Sequence, residues 1–174
     1  MYNHSGFRKN LNTSDSIIEF LDYVYSSIDN RQSTIAVYLD FSKAFDTVNH
    51  DIWMNELLHN SIRGVMQSWF KTYLSTRKQS VSVNNSSYSM SNITLCVPQG
   101  SVLGPVLFLL HINDMHKFSN QMRFVHFAYD TTVFTSDCGI NNVHVTVNRE
   151  LVGVDIWLKT NRLFQNVSKT SYIY

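Results

Sequence analysis

Cysteine is scarce in this 174-residue chain, which contains only Cys96 and Cys138. Two cysteines without metal-binding spacing indicate neither a disulfide scaffold nor a disulfide-linked partner, so we expect a reduced intracellular compartment, nuclear or cytoplasmic. No signal peptide is recognisable, and the longest apolar run, residues 102–110, is broken by Gly104 and Pro105. That run is too short to span a bilayer, so no membrane partner is expected.

A strong excess of charge of either sign is also missing, since the formal net charge is only +1. The chain as a whole therefore gives no strong electrostatic case for nucleic-acid binding, which usually needs a basic face. The hydrophobic fraction of 44% argues against disorder and, with the length, indicates one domain or a large piece of one. Basic residues cluster in two places, as solvated surface or as contacts to phosphate: Lys71, Arg77 and Lys78 in the middle, and Lys159, Arg162 and Lys169 near the end.

Residues 122–134 predict a β-hairpin. The first half alternates its side chains between two faces, and residues 132–134 supply the β-branched and aromatic side chains of a return strand. The turn is expected near Tyr129 and Asp130, without a glycine. An aspartate at the tip of an apolar hairpin is either a solvated turn residue or a ligand.

A second predicted strand, the apolar run at residues 35–39, ends directly before Asp40. A continuous apolar run is typical of a strand that is buried on both faces. Asp40 is then either a strand-end cap or a second carboxylate at the end of a strand. Oxygen ligands that project from strand ends suit a hard cation such as Mg²⁺.

Five helices and further strands are predicted from the spacing of apolar residues. The helices begin at an N-cap at Thr13 or Ser14, cover residues 51–60, follow Gly64, open with Pro105 and cover residues 140–159. Residues 106–115 should be buried, with His111 as an interior histidine rather than a catalyst. Strands are expected at 79–83 and 88–94 around a turn, and at 171–174. Two helical faces are expected in the core: Ile17, Ile18, Leu21, Tyr25 and Ile28 in the first helix, and Val65, Met66, Trp69, Phe70 and Tyr73 in the third.

Five motifs resemble the reverse transcriptases of non-LTR, LINE-like retrotransposons. Residues 38–50, Tyr-Leu-Asp-Phe-Ser-Lys-Ala-Phe-Asp-Thr-Val-Asn-His, resemble the first catalytic motif of that family. Residues 97–105, Val-Pro-Gln-Gly-Ser-Val-Leu-Gly-Pro, resemble its nucleotide-binding motif, and residues 6–9 and 166–170 resemble its flanking motifs. Residues 127–130, Phe-Ala-Tyr-Asp, lie where the family has an aromatic residue, Ala and two consecutive Asp. The motifs occur in the family's order and cover nearly the whole chain.

The resemblance implies a mixed α/β (α+β) fold, a polymerase palm with part of the fingers, in which helices back an antiparallel sheet. Residues 1–174 would form a partial reverse transcriptase domain, an incomplete right hand with a fingers remnant and a palm but no thumb. The implied activity is RNA-directed DNA synthesis from dNTPs, with an RNA template and a DNA primer as partners. Two Mg²⁺ ions, with Mn²⁺ as an alternative, would clamp the attacking and leaving oxygens.

The resemblance also implies roles for individual residues. Asp40 and Asp130 would be the catalytic residues and the metal ligands. Phe45 would exclude a ribose 2′-hydroxyl by steric rejection, or else be a core phenylalanine. Four residues are implied at the nucleotide: Phe41 through its backbone carbonyl, Gln99 and Gly100 along the nucleotide, and Lys169 at its phosphates. Arg8 and Lys9 would contact template or triphosphate phosphates.

Tyr129 is the main departure from the family pattern, because it replaces the first aspartate of the pair. A phenol with a pKa of about 10 is neutral at pH 7 and is a poor Mg²⁺ ligand. Cys96 also departs, because it takes the place of the glycine that usually precedes Val-Pro-Gln-Gly in the family. We therefore expect weak or no activity in this copy of the domain. The alternative is a remnant that binds nucleic acid without catalysis, or a relic without a selected function.

Overall fold

The computed structural model describes residues 12–42, 49–75, 77–84, 86–93, 95–96, 100–127 and 130–174. The fold mixes helices and antiparallel strands, as the sequence predicts. The helices are α1 Thr13–Asp29, α2 His50–His59, α3 Val65–Ser75, α4 Leu103–Ile112 and α5 Ile140–Thr160, with a 3₁₀ turn at Met115–Phe118. The strands are β1 Ser33–Leu39, β2 Phe41–Ser42, β3 Lys78–Gln79, β4 Ser82–Val83, β5 Ser86–Ser87, β6 Ser91–Asn92, β7 Arg123–Phe127, β8 Asp130–Asp137, β9 Phe164–Gln165 and β10 Ser171–Ile173.

A four-stranded antiparallel sheet in the order β10-β1-β8-β7 forms the centre of the molecule. β1 and β8 pair over seven residues, from Ser33 opposite Asp137 to Leu39 opposite Thr131. β7 and β8 form the predicted hairpin, whose return strand is longer than the three residues expected from the sequence. The predicted last strand is β10, which pairs with β1 as the outer strand.

Helices cover both faces of this sheet. Ile35 and Val37 of β1 pack with Val143 and Val147 of α5 in the main core, whereas Ala36, between them, lies in the core under α1. Side chains alternate along a strand, so apolar residues at successive positions are buried only if both faces are covered. The prediction that β1 is buried on both faces is confirmed.

A second core lies between α2, α3 and α4. Trp53 and Leu57 of α2, Phe70 and Leu74 of α3 and Leu107 of α4 are all buried in it. Asn49 caps α2 by accepting hydrogen bonds from the backbone amides of the first turn, so the helix begins one residue earlier than predicted. α2 and α4 therefore hold the second core beside the first, to which α4 contributes Phe108 and Ile112.

The predicted core face of α1 is wrong. Ile17, Ile18, Leu21, Tyr25 and Ile28 are between 39% and 62% exposed, whereas Ser16 and Ser27 are buried. The Ser27 hydroxyl lies 2.8 Å from the Ser136 hydroxyl of β8, so a small polar side chain faces the sheet where a large apolar one was expected. The helix is capped by Asn12 rather than by Thr13 or Ser14, through a capping box with Asp15.

The predicted core face of α3 is only partly right. Phe70 is buried together with Leu74, but Trp69 is 50% exposed, and Val65 and Met66 are exposed as well. Phe70 and Leu74 are four residues apart, so they point to the same side and give the helix a narrower buried stripe than expected. The aromatic residues of α3 are thus divided between the core and the surface.

Two other boundaries differ from the prediction. α4 begins at Leu103, two residues before Pro105, and Val106 is 42% exposed although Leu107, Phe108 and Leu109 are buried as predicted. The strands predicted at 79–83 and 88–94 are shorter: β3 pairs with β6, and β4 pairs with β5. Within the described ranges, no helix is long and apolar enough to cross a membrane.

His111 and Glu56 form a polar pair where α2 and α4 meet. His111 is fully buried, as an interior histidine should be, and its Nδ1 lies 3.8 Å from a Glu56 carboxylate oxygen, too far for a hydrogen bond. Burial lowers the pKa of His111 from 6.5 to about 4, with a weaker opposing effect of the Asn161 backbone. Burial, reinforced by Asp114, raises the pKa of Glu56 from 4.5 to about 7. Both side chains are therefore neutral in the folded protein at mildly acidic pH.

We expect this pair to give two opposing contributions to the pH dependence of stability. Folded Glu56 holds a proton that the unfolded chain releases above its ordinary pKa of 4.5, so its stabilising contribution is lost as the pH rises towards 7. Unfolded His111 takes up a proton below its ordinary pKa of 6.5 that the folded chain excludes, so its penalty disappears as the pH rises from 4. The two slopes oppose each other between these two ordinary pKa values.

The measurement is the free energy of unfolding by urea at several pH values. Glu56→Gln should leave stability rising with pH, whereas His111→Gln should leave it falling, each by at most about 1.4 kcal/mol per pH unit. His144→Gln, at an exposed position on α5, serves as the control. It should keep the dependence of stability on pH that the unmodified chain shows, in which the two slopes oppose each other. Parallel pH profiles for Glu56→Gln and His111→Gln would show that the pair does not titrate in this way.

Candidate active site

Asp40 and Asp130 lie side by side at one end of the central sheet. The β1–β8 register ends with Leu39 opposite Thr131, and the next residues along the two segments are Asp40 and Asp130, the first residue of β8. Both aspartates are at least partly exposed, whereas Leu39 and Thr131 are buried just inside them. The two aspartates, from distant parts of the chain, thus flank the last pair of the β1–β8 ladder. That they are close enough to share an ion stays a prediction.

The electrostatics of Asp130 support the same proximity. Its pKa is raised above the ordinary value, first by burial and then by the negative charge of Asp40, while the positive charge of Lys169 acts in the opposite direction. Two carboxylates repel each other when both are ionised, so a cation near them is favourable. Asp40, Asp130 and Lys169 therefore form one electrostatic cluster, the carboxylate cluster.

The turn between β9 and β10 brings Lys169 to this cluster. β9 pairs with β2, so that Phe41 lies opposite Gln165, and β10 pairs with β1 on the other side of the turn. Between these strands the Asn166 amide donates a 2.8 Å hydrogen bond to the Asp40 carbonyl oxygen. The amide of Lys169 in turn donates to the Asn166 carbonyl at 3.1 Å. The backbone of residues 166–170 is thereby tied to the residue that ends β1.

The segment before α4 is joined to the start of α2. Leu95 forms an antiparallel bridge with Asn49. The His50 ring Nε2 lies 2.9 Å from the Cys96 carbonyl oxygen and donates a hydrogen bond to it in the tautomer that carries the hydrogen on Nε2. Gly100 has a φ of +80°, and a side chain there would meet open space, so the backbone conformation and not crowding favours glycine. Sequence reasoning overlooked the His50 contact, whose only signal is the position of His50 at the end of the first motif.

Cys96 adopts a backbone conformation that favours glycine. Its φ is +75°, in the left-handed region, where a Cβ atom is costly by roughly 1–2 kcal/mol. This is the position at which the resembling family usually has a glycine, so the structure supplies a physical reason for that preference. The side chain of Cys96 is partly exposed.

The structure places some of the predicted site residues and leaves others outside the described part of the chain. Phe41 is only 7% exposed and belongs to the main core, so its side chain is structural and only its backbone is left for a ligand. Lys169 is exposed beside the two aspartates. Five predicted positions lie outside the described residues: Arg8, Lys9, Phe45, Gln99 and Tyr129.

The carboxylate cluster offers part of a divalent metal site. Asp40 and Asp130 supply hard oxygen ligands, and the repulsion between them fits a site that a cation completes. Within the described ranges, no group of three or more His, Cys, Asp or Glu side chains is arranged to hold a metal ion. The donor set therefore fits a divalent cation through two carboxylates.

Comparisons with known proteins show the family to which the chain belongs. The family model described as reverse transcriptase (RNA-dependent DNA polymerase) matches residues 1–174, so the chain belongs to the reverse transcriptase family. Similar curated proteins include the RNA-directed DNA polymerase from mobile element jockey of Drosophila melanogaster, 28% identical over 145 residues and 78% of this chain. A probable RNA-directed DNA polymerase from transposon BS of the same species is 33% identical over 114 residues and 63% of this chain. These relatives identify the chain as a LINE-like reverse transcriptase domain.

The chain spans only a small part of these relatives, 15% of the jockey protein and 12% of the BS protein. Solved structures of telomerases share its fold. A Candida albicans telomerase superposes with a TM-score of 0.73 at 15% identity, over 94% of this chain and 30% of the telomerase chain. A Candida tropicalis telomerase gives the same TM-score at 10% identity, over 98% of this chain and 30% of the other. The palm-type architecture predicted from the motifs is thus confirmed.

Cys96→Gly should relieve backbone strain beside the nucleotide-binding motif. Relative to Cys96→Ala, which keeps a Cβ atom at a positive φ, we expect the glycine variant to be more stable by up to about 1 kcal/mol. The gain is smaller than the full strain because glycine adds entropy to the unfolded chain. Urea unfolding of both variants measures the difference, and an alanine variant at least as stable as the glycine variant would contradict strain at this position.

The pKa of Asp130 should respond in opposite directions to two neighbours. Asp40→Asn removes the repelling charge and should lower it, whereas Lys169→Gln removes the attracting charge and should raise it. Carbon-13 NMR titration of the aspartate carboxyl groups, with a chelator present, follows Asp130 directly. Lys159→Gln is the matched control, because Lys159 pairs with Asp155 instead. Movement in the same direction in both neighbour variants would place Asp130 outside the cluster.

Proposed function

We propose that the chain is the catalytic part of an RNA-directed DNA polymerase that binds an RNA template, a DNA primer and dNTPs. One observation carries the proposal: Asp40 and Asp130 are brought together at the end of the β1–β8 pair, and Asp40 contributes to the raised pKa of Asp130. Family membership supplies the reaction class. Residues 1–174 would form the palm with part of the fingers.

Asp40 and Asp130 would hold divalent ions, Mg²⁺ or Mn²⁺, which neutralise triphosphate charge and favour ionisation of the primer hydroxyl. The protein's own contribution is to fix the two carboxylates on paired strands, where the backbone holds their positions. Lys169 would contact the triphosphate. Its positive charge already acts on this cluster, because it lowers the pKa of Asp130 against the opposite effect of Asp40. The exposed turn at Gly100 would let the backbone approach the nucleotide closely.

The residues outside the described part of the chain keep their proposed roles from the family pattern. Phe45 would exclude the ribose 2′-hydroxyl, and Gln99 would lie along the nucleotide. Arg8 and Lys9 would contact template or triphosphate phosphates. Tyr129 stands where a third carboxylate is expected, so we propose that metal binding and synthesis are weak in this chain.

Tyr129→Asp tests both the site and its proposed weakness. In the 174-residue chain, the substitution should tighten Mg²⁺ binding, followed by calorimetry and by the NMR signals of Asp40 and Asp130. In a full-length element protein, where the primer terminus is held, it should raise primer extension by roughly three decades, because a ligand lost from the metal weakens transition-state charge stabilisation by several kcal/mol.

Tyr129→Asn is the matched control, since it shortens the side chain without adding charge. It should improve Mg²⁺ binding and extension less than Tyr129→Asp does. Robust extension by the unmodified protein would overturn the role of position 129 as a ligand. If Asp40→Asn leaves Mg²⁺ binding by the Tyr129→Asp variant unchanged, the carboxylate cluster is not the metal site.

A second candidate function is nucleic-acid binding without catalysis. The observation that favours it is the loss of one metal ligand. Tyr129 replaces the first aspartate of the family's pair, so that Asp40 and Asp130 are the two carboxylates left in the catalytic motifs. In that case the full-length Tyr129→Asp protein would bind a primed template and still fail to extend it. Primer binding and extension, measured on the same preparation, separate the two functions.

A further inference from the structure

The surface of α3 carries an exposed aromatic stack with a cation at one end. Trp69 and Tyr73 lie one helical turn apart, with ring centroids 5.5 Å apart and planes within 7° of parallel. The Arg77 guanidinium lies over the Tyr73 ring, 5.2 Å from its centroid. An open groove of about 420 Å³ is lined by this stack together with Thr72 and Lys78. We call Trp69, Tyr73, Arg77 and Lys78 the stacking surface.

Trp69 is unusual among the tryptophans of the chain because it is exposed. Trp53 and Trp157 are each 1% exposed and fill the two cores, whereas Trp69 is 50% exposed. In the described part of the chain, the Trp69 ring packs edge-on against Phe70 and stacks on Tyr73. A half-exposed indole packed in this way offers a flat apolar face to a planar ligand.

The stretch of sequence that carries this surface has charge of one sign. Between Glu56 and Asp114 the chain contains no acidic residue, although it contains Arg63, Lys71, Arg77 and Lys78. The whole chain has a formal charge of +1, so this stretch is basic while the remainder is acidic. The overall charge therefore conceals a local surface that attracts anions.

We propose that the stacking surface binds single-stranded nucleic acid, with a base stacked on Trp69 and with Arg77 and Lys78 contacting the phosphates. Among the described residues, flat aromatic faces and cations line this groove without an acidic side chain, which matches the combination of stacking and backbone attraction that single strands need. A protein partner would need only the apolar face of the aromatic rings. The positive charges of Arg77 and Lys78 favour a polyanion instead. The proposal rests on the proposed function in its choice of partner and adds a contact separate from the carboxylate cluster.

Tryptophan fluorescence tests the proposal directly, because Trp69 is the exposed tryptophan while the other two are buried. A single-stranded oligonucleotide of roughly 15 nucleotides should quench the emission. An abasic oligomer of the same length, with phosphates but without bases, should bind more weakly and quench little. Equal quenching by both oligomers would overturn base stacking.

Variants measure the contribution of each part of the surface to affinity. Trp69→Ala should weaken oligonucleotide binding by roughly tenfold, measured by anisotropy of a labelled strand, and Trp69→Phe should weaken it less. Tyr25→Ala is the matched control, because Tyr25 is also an exposed aromatic on a helix but lies between Asp22 and Asp29. It should leave the affinity unchanged.

The basic residues should affect the salt dependence instead. Arg77→Gln with Lys78→Gln should reduce the slope of log affinity against log salt by about 1.4, as expected for two lost phosphate contacts to a single strand. The same slope in the double variant as in the unmodified chain would remove both side chains from the phosphate contacts. Circular dichroism confirms folding of each variant, and base-dependent quenching of the unmodified chain decides the outcome if Trp69→Ala does not fold.

The outcomes separate this proposal from the proposed function. Affinity unchanged by Trp69→Ala, with Mg²⁺ binding at Asp40 and Asp130 intact, would overturn the stacking surface and leave the polymerase assignment in place. Absence of Mg²⁺ binding at Asp40 and Asp130, with quenching by the oligonucleotide retained, would overturn the polymerase assignment and leave the stacking surface in place. Self-association that Trp69→Ala abolishes, without any oligonucleotide binding, would assign the surface to a second copy of the chain and overturn the proposal.

Discussion

The pairing of β1 with β8 is the interaction on which the rest of the structure depends. Its register decides which side chains of both strands face α1 and which face α5, and it ends beside Asp40 and Asp130. A slip by one residue would exchange the two faces and separate the carboxylates. Burial of Leu39 and Thr131 next to the aspartates opposes such a slip, because it would move apolar area into water. The stability of the sheet and the geometry of the site therefore have the same cause.

Charge is separated along the chain in a way that suits two different tasks. The carboxylate cluster holds negative charge close together, where we propose that a cation binds, and the positive charge of Lys169 opposes the effect of Asp40 on Asp130. The stretch between Glu56 and Asp114 has no acidic residue and carries its bases near exposed aromatic rings. Acidic residues elsewhere in the chain bring the formal total to +1. A near-neutral protein can thus offer both an acidic site and a basic surface.

The sequence predicts the parts of this fold that follow from strong local patterns. The apolar run of β1, the β7–β8 hairpin and the helical spacing of α5 all correspond to observed elements. The α1 face could not be predicted, because its buried Ser27 contacts Ser136 across the chain and hydrophobic spacing carries no signal for such a pair. The approach of Lys169 to Asp40 depends on a two-residue ladder between β2 and β9, which is too short to leave a periodic pattern. The strain at Cys96 is a backbone property that only the family's glycine hints at.

The order of the strands along the chain also affects how the protein folds during its synthesis. During synthesis β1 emerges early, but β8, which covers one of its edges, lies about 90 residues further along, and β10 comes later still. At translation rates of about 5–20 residues per second, the apolar residues of β1 wait roughly 5–20 s for their first partner strand. During that interval an unpaired apolar strand is open to pairing with other chains. The ribosome and its chaperones must therefore protect this strand until β8 appears, and slow translation of the intervening stretch would lengthen the exposure.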